Sequence, residues 1–293
     1  FIREDRPQPL MEDRLTPPPP VPANRQPTAQ QTARQRRQEA ERVLTETLVR
    51  GGAGVTLEPT RGEHATLFVT GRDPGDGAVP SVVLAAEHYN LVARLLEQEI
   101  PVTLAVEVAG RYYEDNTNAY NVIAEIKGTD PDIGDEVVMV GAHLDSWHTG
   151  TGATDNADGS SIVMEALRIL RALDVQPRRT IRIALWGGEE QGLLGSREYV
   201  QRHLQGPGSE AARENFMLPD HGNVSAYYNL DNGFAPIYGF YMEDNEAARE
   251  IMEDYLEPFN DLGANISTMA RVGSTDHLSF IRAGLPGFQA IHD

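Results

Sequence analysis

The sequence predicts an α/β protein in which a mostly parallel, mixed sheet is flanked by helices, with a smaller α/β or β-rich module ahead of it. Three observations carry that prediction. Short runs rich in β-branched and aromatic residues, Glu136-Val-Val-Met-Val-Gly-Ala-His143, Arg182-Ile-Ala-Leu-Trp-Gly-Gly-Glu189 and Ser225-Ala-Tyr-Tyr-Asn-Leu-Asp231, read as buried strands. Segments with helical spacing lie between them, the alternation that builds an open parallel sheet. Each run turns polar at the same end, and in such sheets ligands bind at the carboxyl ends of the strands.

In chain order, residues 1–37 carry Pro17-Pro-Pro-Pro20 and Gln- and Arg-rich stretches with few apolar positions, too little to offset the entropy of ordering, and are expected to form an extended linker or arm. From Gln38 to Arg50 apolar residues recur at Val43, Leu44, Leu48 and Val49 before Gly51-Gly52, the spacing and stop of a helix. Strands are expected at Gly54 to Leu57, Thr66 to Val69, Val79 to Leu84 and the alternating Val102-Thr-Leu-Ala-Val-Glu-Val108, with an amphipathic helix over Ala86 to Gln98. Residues 38–115 hold no catalytic cluster, and the module is expected to be structural or substrate-shaping. From Asn118 the texture changes. Strands are expected at Tyr120 to Ile126, Glu136 to Ala142, Thr180 to Trp186, Ser225 to Leu230 and Gly287 to Ile291, and helices at Ser160 to Leu173, Gly192 to His203, Glu246 to Phe259 and Asp276 to Ala283. In the first of these helices Ile162, Ala166, Ile169 and Leu173 form a stripe expected to pack on the sheet.

Composition narrows the function classes. A formal net charge of −19 argues against sequence-independent nucleic-acid binding, because a phosphate backbone selects surfaces rich in Lys and Arg. The chain has no cysteine, so a disulfide framework and thiolate chemistry are excluded and any metal falls to His and carboxylates. No apolar run approaches the roughly 18 residues of a membrane span, and no signal-peptide pattern is present. The chain begins at Phe1 and stops at Asp293 just after an expected strand, and is expected to be a fragment.

The polar strand ends carry the chemistry. A divalent ion held without thiolates takes imidazole and carboxylate ligands, and paired ions about 3.5–4 Å apart serve hydrolysis. His143 is a candidate nitrogen ligand, and Asp145, two residues on, could accept its other ring N–H. Thr151-Gly-Ala-Thr-Asp-Asn-Ala-Asp-Gly159 is a small-residue loop entering a helix and presenting Asp155; its bland reading is a turn with an N-cap, and Asp158 looks more like a cap than a ligand. Glu189 and Glu190 repel one another unless a cation or a shared proton compensates, and adjacent residues point differently, so one can ligate while the other stays free as a general base. Asp231 ends its strand in the same manner.

His143-Leu-Asp145-Ser, Asp155-Asn-Ala-Asp-Gly159, Trp186-Gly-Gly-Glu-Glu-Gln-Gly-Leu-Leu-Gly-Ser196, Asn229-Leu-Asp231 and Gly273-Ser-Thr-Asp-His277 resemble, in order and spacing, the M28 family of zinc exopeptidases, aminopeptidases and carboxypeptidase Q-like dipeptidases among them. The resemblance covers about Asn118 to Asp293. It implies the zinc exopeptidase (phosphorylase/hydrolase-like) fold over residues 116–293, C-terminally truncated, with residues 38–115 as part of a protease-associated domain. It implies two Zn2+ ions in the full-length protein: His143 and Asp231 on one, Asp155 bridging both, Glu190 on the second. Glu189 would be the general base for a metal-bridging hydroxide, and Asp145 would orient His143. The family's fifth ligand is a His past the strand ending near Ile291, so the second site is expected to be incomplete in this chain and the fragment weakly loaded or inactive. His277 matches a motif not used as a ligand, and His292 is expected to be a bystander. A peptide substrate and a secreted or periplasmic location follow from the resemblance, homo-oligomerisation stays open, and the choice between aminopeptidase and carboxypeptidase or dipeptidase is not made by the sequence. Two other readings remain: a non-catalytic receptor or scaffold on a peptidase fold, which loss of ligands would mark, and a single-zinc glutaminyl cyclase, which metal stoichiometry separates.

Overall fold

A computed structural model of the chain describes residues 29–68, 79–111, 113–148, 150–206 and 217–292. The chain divides into two compact units, with the boundary between Asp115 and Asn116.

In the first unit helix α1 spans Ala29–Arg50 and so begins well before Gln38, inside the expected arm. Its early residues have high helix propensity without an apolar stripe, which propensity reads and periodicity does not. Surface pairs lace it: Arg37 with Glu41 at 2.8 Å, and Arg42 with Glu39 at 2.6 Å. Gly52, at φ +72°, turns the chain out of the helix. Strand β1 (Thr56–Pro59) pairs in parallel with β2 (Ser81–Leu84), and α2 (Ala86–Glu97) follows. Two expected strands do not form. Thr66 to Phe68 has no ladder, and Val69 lies outside the described residues. Val102 to Val108 is irregular, with Leu104, Val106 and Val108 exposed. Alternation is a property of a segment, whereas a strand needs a neighbour to accept its hydrogen bonds.

The second unit is built on a seven-stranded sheet of β3 (Val122–Ile126), β4 (Val137–His143), β5 (Thr180–Trp186), β6 (Val224–Asn229), β7 (Gly239–Tyr241), β8 (Ile266–Thr268) and β9 (Gly287–Ile291), in the order β3-β5-β4-β6-β9-β7-β8. The central neighbours β5-β4-β6-β9 run parallel, as do β7 and β8, while β3 on β5 and β7 on β9 are antiparallel. The sheet is therefore mixed and mostly parallel. β7 and β8, three residues each, are too short to leave a periodic signal. Helices α3 (Gly159–Ala172), α4 (Leu194–Val200), α5 (Arg249–Leu256) and α6 (His277–Arg282) accompany it. The helix expected over Glu246 to Phe259 is three pieces, with a 3-10 turn on either side of α5; Pro258 cannot donate to a continued ladder.

Strand alternation sorts the core onto the two faces. Met139, Ala184, Trp186 and Tyr227 pack with Tyr199, Leu204 and Phe280, and the Tyr227 and Phe280 rings stack at 4.1 Å. Ala142, Ile183 and Leu185 pack with Val163 of α3 in a second cluster. Of the stripe expected on α3 only Ile162 packs on the core: Ala166, Ile169 and Leu173 are exposed, and the helix turns Ser160, Val163 and Leu167 inward beside Ile162. That phase is set at its first turn, where the Ser160 hydroxyl donates to the His143 carbonyl at 2.7 Å. Gly141 is required by close approach, since a Cβ there would lie 2.7 Å from both the Ala184 carbonyl oxygen and Tyr227 Oη.

Candidate metal centre

Parallel register gathers the polar strand ends. His143 closes β4 opposite Trp186 of β5, and Gly141 pairs with Asn229 of β6. Two residues further along β6 in the same direction, Asp231 comes level with His143. Its carboxylate lies 3.3 Å from His143 Nε2, and Asp155, from the loop between β4 and α3, lies 3.0 Å from the same nitrogen. Ligand atoms of His143, Asp155 and Asp231 all lie within 4.8 Å of one another. His143 and Asp231 are buried and Asp155 is half open to solvent, so the cluster reaches the surface at Asp155.

The Glu189-Glu190 pair arrives on a tight turn after β5. The Glu189 carbonyl accepts from Gly192 N–H and Leu193 N–H, both at 2.8 Å, and Gly188 takes φ +72°, a conformation that glycine adopts freely. The pair splits as adjacent residues must. Glu189 is 8% exposed and its carboxylate reaches within 3.9 Å of His143 Nε2. Glu190 Oε1 is buried with no hydrogen-bond partner.

Asp145 does more than the sequence indicates. Its main-chain carbonyl accepts from His143 Nδ1 at 3.0 Å, closer than its carboxylate at 3.5 Å. The carboxylate instead accepts the backbone N–H of Glu189 at 3.0 Å and of Glu190 at 3.2 Å. One residue thus orients the imidazole and pins the turn that carries both glutamates.

The electrostatics test whether a cation fits. A carbonyl can only accept, so Nδ1 donates to it, and Nε2 faces two carboxylates that can likewise only accept. Electron-rich atoms in that arrangement need a proton or a metal ion between them. With the side chains alone, burial opposes charge on His143, but the surrounding carboxylates of Asp145, Asp155 and Asp231 outweigh it and push the imidazole far up. Burial, with the charge of Asp231, pushes Glu189 up to about 8. Burial and Asp155 raise Glu190 as well. Asp145 falls below its ordinary range despite burial, because of His143 and the two backbone N–H groups. A nitrogen-and-oxygen donor set with an unpartnered carboxylate oxygen beside it fits a divalent cation such as zinc.

One other sequence expectation, the Asp158 cap, comes out differently. Asp158 makes no side-chain cap, and its Oδ2 is buried and unpartnered. The capping work falls to Asn156, whose Oδ1 accepts Gly159 N–H at 3.1 Å while its Nδ2 donates to the Leu230 carbonyl at 2.9 Å. Nothing in the spacing distinguished Asn156 from Asp158. His277 is buried 3.2 Å from Glu243 and is not among the clustered ligand residues. His292 lies 3.0 Å from the Asp231 main-chain oxygen, beside the centre rather than in it. Asp276 is buried and accepts the Ser196 hydroxyl at 2.5 Å.

Residues 121–293 match the sequence profile of peptidase family M28. Carboxypeptidase Q of Homo sapiens is 31% identical over 216 residues, 73% of this chain and 42% of that protein. An aminopeptidase of Pseudomonas aeruginosa (strain UCBPP-PA14) is 34% identical over 181 residues, 61% of this chain and 29% of that protein. The crystal structure of a peptidase M28 precursor from Shewanella amazonensis SB2B is similar with a TM-score of 0.56 at 26% identity, over 81% of this chain and 51% of that one. The chain spans less than half the length of these two curated relatives.

Proposed function

The chain belongs to peptidase family M28, and from that premise we propose that it carries the metal-binding catalytic region of a zinc-dependent exopeptidase acting on the terminal peptide bonds of peptides or dipeptides. The observation that supports this best is His143 Nε2 facing the carboxylates of Asp155 at 3.0 Å and Asp231 at 3.3 Å, with Glu190, whose Oε1 is buried and unpartnered, within electrostatic reach of Asp155. In this reading His143, Asp155, Glu190 and Asp231 are the residues that would hold zinc, two ions in the parent protein. When bound, zinc polarises the scissile carbonyl, acidifies water and offsets the charge of Asp231 that opposes ionisation of Glu189. Glu189 is the base: its carboxylate takes a proton from the attacking water and hands it to the amine nitrogen as the peptide C–N bond breaks. Asp145 keeps Glu189 on station through the backbone N–H it accepts. Residues 38–115 belong in the same reading to part of a protease-associated domain, and a secreted or periplasmic location is carried with it.

Release of free amino acids from unblocked, N-blocked and C-blocked peptides by the full-length protein with added zinc tests the proposal. Metal-dependent release is expected, and the block that abolishes it assigns the recognised terminus. No metal-dependent hydrolysis of any of the three peptides rejects the reading.

A further inference from the structure

A one-way chain of hydrogen bonds crosses the sheet behind the metal centre. The Trp186 indole N–H donates to Tyr227 Oη at 2.7 Å, and the Tyr227 hydroxyl donates to Asn229 Oδ1 at 2.5 Å. Asn229 Nδ2 donates to Thr275 Oγ1 and to Gln289 Oε1, both at 2.7 Å. Gln289 Nε2 donates to the main-chain carbonyl of Asp231 at 2.7 Å. All five side chains are buried, none more than 1% exposed. The sense of every link is dictated from its ends. An indole N–H can only donate, so Tyr227 must pass its own proton on to Asn229 Oδ1, which leaves Nδ2 facing Gln289. The Asp231 carbonyl can only accept, so the far end demands the same orientation. A flipped Gln289 amide would set oxygen against oxygen and N–H against N–H.

Asp231 lies beyond the end of β6; the ladder of β6 with β9 ends at Asn229 opposite Gln289, and Leu230 N–H still donates to the Gly141 carbonyl at 2.9 Å. Among the described residues its carbonyl is held by side chains, Gln289 and His292, the latter at 3.0 Å. We propose that Gln289 is a positioning residue for Asp231: at the end of a donor chain anchored on Trp186, it fixes the backbone from which the Asp231 carboxylate faces His143 Nε2. The proposal rests on the reading of Asp231 as a zinc ligand. It gives β9, which supplies none of the assigned ligands, a part in the metal centre.

The test is zinc affinity of the full-length protein, read by competition with a chromophoric chelator, alongside thermal melts of the metal-free protein. Gln289→Met keeps the volume and removes the donor; Tyr227→Phe breaks the chain upstream and keeps the ring; Leu204→Ala is a core truncation outside the chain that calibrates a purely structural loss. Gln289→Met should weaken zinc binding about tenfold or more and Tyr227→Phe by a smaller factor, as outer partners of metal ligands commonly do, while Leu204→Ala stays within about twofold of wild type. Unchanged zinc affinity in both hydrogen-bond variants overturns the proposal, as does a loss that tracks melting temperature across all three. Should Gln289→Met fail to fold, Tyr227→Phe against Leu204→Ala decides. A wild-type chain that takes up no zinc rejects the metal-centre reading and the positioning role together, whereas wild-type binding without a variant effect rejects the positioning role alone.

Discussion

Glu189 and Glu190 are neighbours in sequence with different surroundings, and the difference is what chemistry at this centre needs. Glu189 is the buried one, pushed up to about 8 by burial and Asp231. Glu189→Gln preserves its shape and removes its ability to take a proton, so zinc content should hold while turnover falls by about 10²–10⁴-fold. A variant with full turnover would remove Glu189 from the role of base. Asp276 gives a separate prediction. Burial pushes its carboxyl up to about 7 against the Ser196 hydroxyl bond that lowers it. The folded value lies above the ordinary one near 4, so the folded state holds this proton more tightly. Its contribution to stability is full at low pH and is lost as pH rises toward about 7. In chelator-treated protein, Asp276→Asn should therefore gain on wild type in urea melts as pH rises through that window. Parallel pH profiles would show that the buried carboxyl does not govern them. At this scale residue types at strand ends were legible in the sequence. The carboxylate of Asp145 serving two backbone N–H groups was not, because those partners lie more than forty residues away.

The loop between β4 and α3 shows what an element adds to its residues. Asp155 faces His143 because Asn156 ties the loop to the Leu230 carbonyl and to Gly159 N–H. Asn156→Ala should destabilise the fold by about 1–3 kcal/mol by leaving buried groups unpaired, and should weaken zinc binding by loosening Asp155. Denaturant melts and zinc competition measure the two effects, and a variant with neither loss would make the loop self-supporting. Strands with strong apolar runs were legible, Thr180–Trp186 to the residue. The segments that failed were those whose structure depends on a neighbour. Val102 to Val108 alternates without a ladder, and β7 and β8 form only because β9 and one another are there to pair with. The phase of α3 was read correctly only at Ile162 for the same reason: hydrophobic spacing admits more than one face, and the Ser160 bond to the His143 carbonyl selects one.

The chain carries a net charge of −19, and at its candidate metal centre carboxylates repel one another, a cost that a bound cation would relieve. Zinc at about 100 times its dissociation constant should stabilise the fold by about 2.7 kcal/mol and raise the melting temperature by about 5–10 °C, with a chelator reversing the shift. A melting temperature indifferent to zinc and chelator would separate the cluster from metal binding. Among the described residues no helix is long and apolar enough to cross a membrane. By itself the sequence determined the alternation of strands and helices from Asn118 onward, the polar residue at each strand end and the exclusion of thiolate chemistry, because each is written in local periodicity and composition. Tertiary structure alone decided the register that brings Asp231 level with His143, the bond of His143 Nδ1 to the Asp145 carbonyl, and the buried donor chain from Trp186 to Gln289. Those depend on atoms brought together from distant parts of the chain, and local sequence pattern carries no record of which partner each hydrogen bond will find.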